Sequence, residues 1–203
     1  MSTLCRRPSR GVMAALALLL GAAGPPPKDP DWPCVQRLVP TLTAGTFWAG
    51  HGLAADWQSD PAVVELVDRV APRSQPVEAG NAELKTFALA TPAPDRAARL
   101  ERVFTGLVEQ TNAQRVQVID RLRGVARRQR DLTGMVAQVT AQLRALPADA
   151  SDADREEVAT RRQFLIRDYE EVGRTIRYAC EVPVQLEARL GSFAQTLQAS
   201  LQD

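Results

Sequence analysis

Two apolar seams, running in opposite directions along the second half of the chain, dictate its fold. From Asp95 to Leu146 there is no proline and good helix formers dominate. Leu100, Phe104, Leu107, Thr111, Gln114, Val118, Leu122, Val125, Gln129, Leu132, Val136, Val139, Leu143 and Leu146 recur in steps of four and three. One extra step of four, from Val118 to Leu122, is a stutter in an otherwise heptad pattern. The turn segment Pro147 to Ser151 follows, and Ser151 or Asp152 can cap the next helix. The second seam is Val158, Arg162, Leu165, Tyr169, Val172, Ile176, Ala179, Pro183, Leu186, Leu190, Phe193 and Leu197, in strict four-three alternation.

Facing residues of an antiparallel hairpin have numbers that add to a constant. Leu100 with Leu197, Phe104 with Phe193, Leu132 with Leu165 and Val139 with Val158 all add to 297. Leu122 with Ile176 and Gln129 with Tyr169 add to 298, a slip of one residue at the stutter. Two helices of about 50 residues make a rod about 75 Å long. The fold class is therefore all-α: a long antiparallel two-helix coiled-coil hairpin, helices 95–146 and 152–201. Two short helices, 60–71 opened by Asp60-Pro61 and 76–90 closed by Pro92, are expected to pack at its open end. Thr111, Gln114 and Pro183 weaken the middle of the seam, and Pro183 should kink the second helix.

The N-terminus reads as a secretory signal over residues 1–23. Arg6, Arg7 and Arg10 precede an apolar run from Val12 to Leu20, and small residues Gly21 to Ala23 offer a cleavage site. That run is too short to span a bilayer, which takes about 20 residues. An uncleaved anchor is the alternative. Removing residues 1–23 moves the formal charge from +1 to about −2. The expected location is periplasmic or secreted, with no stable membrane insertion once the signal is gone. The nearly even charge balance argues against a nucleic-acid partner. Two cysteines then remain, Cys34 and Cys180, and in an oxidising compartment an even pair is most simply one disulfide.

Residues 24–59 form an extended leader rich in proline and tryptophan: 24–33 are too proline-rich for helix or central strand, and Cys34 to Gln58 shows no clear period. Trp32, Phe47, Trp48, the single histidine His51 and Trp57 lie in it and make a candidate partner surface, because tryptophan is favoured at interaction hot spots. The competing reading is that these rings cap the hairpin's flank. Leu143 and Leu146, at the projecting tip, are the other candidate partner residues. The arginine run Arg121, Arg123, Arg127, Arg128 and Arg130 could meet an anionic surface. By the hairpin register it should instead pair across the helices: Arg127 with Glu171, Arg128 with Glu170 and Arg130 with Asp168.

No catalytic constellation emerges. One histidine and two paired cysteines are too few ligands for a closed zinc site, and neither a nucleophile elbow nor a glycine-rich phosphate loop is present. No cofactor, metal or catalytic residue is assigned. The stretch Asp31-Trp32-Pro33-Cys34-Val35-Gln36-Arg37, followed by Trp48-Ala49-Gly50, resembles the start of an uncharacterised family of exported bacterial proteins. The resemblance implies export and no particular activity. The expected function is a non-enzymatic hairpin that scaffolds or adapts a protein partner or self-associates. A small-ligand or metal-linked module around Trp48 and His51 is the second reading, and an enzyme using His51 the third.

Overall fold

The computed structural model of the chain describes residues 29–49 and 56–202. The proposed signal segment, residues 24–28 and His51 lie outside the described residues. Four helices form the fold, with no strand among the described residues: α1 Pro61–Val70, α2 Val77–Ala90, α3 Ala93–Ala145 and α4 Asp152–Ala199. Helices α3 and α4 pack along each other as the long hairpin, α1 lies on α3 and α2 on α4.

Local chemistry sets the helix ends. The Asp60 carboxylate accepts from the amides of Ala62 and Val63 and so caps α1, with proline at the first helical position. The same carboxylate takes the Arg99 guanidinium from α3, at 2.7 and 3.1 Å. Ser151 caps α4 by accepting from the Asp154 amide. Pro183 lies inside α4, which continues through it.

The seam residues face inward as their spacing requires. Every member of the first seam is buried or half-buried, and in the second only Tyr169 is exposed. The main core sits at the open end, where Val63, Val67 and Val70 of α1 and Leu84 of α2 close over Leu100, Phe104, Leu190 and Leu197. Two glycines let these helices approach. A Cβ on Gly106 would stand 2.8 Å from Val67 and 2.9 Å from the Trp57 ring, and one on Gly80 2.9 Å from Phe193. We call this four-helix part the base.

A smaller cluster follows along the hairpin, built from Val118, Leu122, Ile176, Cys180 and Leu186 with Trp32 and Cys34 of the leader against it. Beyond it, among the described residues, the two helices continue alone. Leu132 and Val139 are still buried on α3, but no residue of α4 between Asp152 and Thr175 is. We call this distal part the arm.

Candidate functional site

The leader is a strap laid along one side of the hairpin. Its first described residues lie at the arginine run, Cys34 is bonded to Cys180, and Leu42 sits beside Asn112. The disulfide spans 146 residues of sequence with its Cα atoms 5.6 Å apart. Asn112 both donates to the Leu42 carbonyl and accepts from its amide, and Gln36 donates to the Cys180 carbonyl.

Two arginines, Arg115 buried and Arg189 half-buried, serve as staples. Arg115, 3 % exposed, donates to the carbonyls of Pro183 and Val39 at 2.7 and 2.6 Å, joining α3, α4 and the strap. Arg189 donates to the carbonyls of Val70, Pro72 and Gln75, closing the C-terminus of α1 and the turn into α2. Burial pushes both guanidinium pKa values below their ordinary range. Gln114 donates to the Ala71 carbonyl. The polar interruption of the seam is therefore where side chains bind backbone.

The tryptophans are mostly spent on packing. Trp48 is 6 % exposed and stacks on Phe104 with ring centres 4.8 Å apart. Trp57 is 4 % exposed and donates its indole N–H to Glu109. Phe47 and Trp32 are half-buried, and the Trp32 indole donates to the Gln36 carbonyl. The aromatic leader thus does not present Trp48 and Trp57 as a surface: an aromatic ring next to an apolar flank gains more by burial than by exposure. At the tip, Leu143 and Leu146 are half-buried.

The arginine run also departs from expectation. Asp29 pairs with Arg123, and Asp31 with Arg127 and Arg130. No ion pair joins the run to Glu170, Glu171 or Asp168 among the described residues. The strap brings its carboxylates over the outer face of α3, nearer than those of α4. The Asp29 carboxyl is held below its usual range by the Asp31 amide and Arg123, that of Asp31 by Arg127 and Arg130.

The other side of the hairpin carries no strap among the described residues. A groove of about 280 Å³ opens there between Val125 and Arg128 of α3 and Asp168, Glu171, Val172 and Thr175 of α4. Nearer the base, a cleft of about 320 Å³ lies where Val182, Leu186 and Arg189 meet the α1–α2 turn at Arg73 and Pro76. On this side Phe164 is 55 % and Tyr178 78 % exposed, and Met135, one heptad beyond Arg128, is 42 % exposed. The arm's seam was readable in the sequence, but these three were missed. Phe164 and Tyr178 stand two heptads apart on α4, displaced from the seam, with Glu171 between them.

Among the described residues no group of His, Cys, Asp and Glu could hold a metal ion, and no helix is long and apolar enough to cross a membrane. Comparison with protein-family models, with curated proteins and with solved structures finds no match to this chain.

Proposed function

We propose that this is a non-enzymatic interaction protein of an oxidising, extracytoplasmic compartment, in which the base is a self-contained platform and the arm is the working surface. The observation that carries the reading is the bare arm. Among the described residues it extends beyond the strap with only two helices and carries Met135 and Phe164 exposed along one face, which Tyr178 continues toward the base. A two-helix layer covers its apolar stripe on one side only, and exposed apolar patches mark interaction sites.

The disulfide supports the compartment, since such bonds persist where thiols are not kept reduced. A ligand module around Trp48 and His51 is the less favoured reading, because the Trp48 ring lies in the core. Site-specific photo-crosslinking in the native compartment tests the proposal, with one probe on the arm at Gln138 and another on the base at Leu89. A discrete adduct from Gln138 and none from Leu89 is expected. Adducts from Leu89 alone would move the working surface to the base.

A further inference from the structure

The chain itself shows what covers this face of the hairpin. At the base, Asn81 of α2 hydrogen-bonds Ser192 and Thr196 of α4, and the α1–α2 turn takes the Arg189 guanidinium. Ser192 and Arg189 lie on a line that continues toward the tip in steps of three, four and seven through Val182, Tyr178, Glu171, Asp168 and Phe164. The face under the helical pair α1–α2 is thus continuous with the open face of the arm.

We propose that the open face is covered by the same face of a second copy of this chain, the two arms lying antiparallel so that each continues the other's α1–α2 layer as a four-helix bundle. This deepens the proposal that the arm is the working surface and rests on it.

Three observations select this occupant. The first is charge: Arg128, Asp168 and Glu171 line one groove, yet none is in an ion pair among the described residues. A patch carrying both signs unpaired can complement itself across a twofold axis, Arg128 of one copy reaching to Glu171 of the other. The second is shape. The α1–α2 layer stands proud of this face at the base, so parallel arms would drive two such layers together. Antiparallel arms, with the twofold near Glu171, set Phe164 of one copy near Tyr178 of the other. They also bring each tip, with Asp149, Asp152 and Asp154, to the other's α1–α2 turn, where Arg73 is exposed and in no ion pair among the described residues. The third is area. The free face runs about 45 Å along two helices each about 10 Å wide. That is about 900 Å² per copy, the size of a stable protein–protein interface.

Analytical ultracentrifugation of the full chain, from below 1 μM to about 100 μM, tests the inference. The expected result is a reversible dimer. The double change Phe164→Asp and Tyr178→Asp should weaken it by at least about 100-fold, as loss of two aromatic anchors does, with helicity unchanged by circular dichroism. Arg73→Glu should weaken it about 10-fold, and adding Asp152→Arg should restore part of the loss. A monomer throughout the range, or a dimer indifferent to these changes, would overturn the inference. If the chain is monomeric but Gln138 still crosslinks a different protein, the arm remains the working surface and the second copy is excluded. If it is monomeric and Gln138 captures nothing, both proposals fall.

Discussion

The base and the arm are made from the same two helices, and the contrast between them separates folding from exposure. In the base the hairpin is covered on both sides, by α1–α2 on one and by the strap with Trp48 on the other, and nine of its apolar residues are wholly sealed: Val63, Val67, Val70, Leu84, Leu100, Val103, Phe104, Leu190 and Leu197. In the arm the same seam periodicity continues, yet α4 buries nothing between Asp152 and Thr175. A heptad pattern therefore specifies which side of a helix turns inward, and the number of covering layers decides how dry that side becomes. The disulfide and the arginine staples lie where one regime gives way to the other.

The largest way to disturb that boundary is to remove the disulfide. Replacing Cys34 and Cys180 by serine should lower stability by about 4–5 kcal/mol, because the bond closes a long loop in the unfolded chain. Urea denaturation of the two forms measures it. Next come matched truncations. Leu190→Ala in the base should cost about 2–5 kcal/mol, as removal of a sealed leucine does. Leu132→Ala in the arm should cost less than half as much, since a two-helix layer can relax around the lost volume. Equal losses would mean the arm is as tightly packed as the base.

Glycines sharpen the comparison by opposite signs. Gly106→Ala forces a methyl against Val67 and the Trp57 ring and should destabilise by about 1–3 kcal/mol. Gly134→Ala, with nothing within 4 Å of the added carbon, should raise the melting temperature through a gain of about 0.4–1 kcal/mol.

The last effect is one of pH. Arg99 and the capped amides hold the Asp60 carboxyl below its usual range. A depressed folded pKa contributes stability that is fully present above the unfolded value of about 3.9 and is lost as pH falls through the folded value. Asp60→Ala should cost about 1 kcal/mol near neutrality and flatten the fall in the urea midpoint below about pH 4. The carboxyls of Asp29 and Asp31 are depressed in the same sense, so acid should also loosen the end of the strap.

Much of this fold was legible in the residues. The four-three seams gave the hairpin and its faces, because helical periodicity is a local property of the chain. Asp60-Pro61 marked a cap, and cysteine arithmetic pointed to the bond between Cys34 and Cys180. What stayed hidden depends on long-range placement. Trp48 and Trp57 could have faced solvent or core; Phe104 and the gap at Gly106 decided it. The arginine run could reach α4 or the strap, and the spacing on α3 is the same in either case. Arg115 and Arg189 carry no signal in the sequence, and become staples because backbone carbonyls of Pro183, Val39 and Val70 converge on them.

The division into a self-sufficient base and an arm awaiting cover is tested most directly by amide hydrogen exchange across the full chain at low and high concentration. At low concentration, amides of α1, of α2 and of the covered stretches of α3 and α4 should exchange only through global unfolding. Those of α3 beyond Gln129 and of α4 before Glu170 should open at markedly lower free energy and gain protection as concentration rises. Protection that is uniform to the tip in dilute solution, or a base that opens before the arm, would contradict the account.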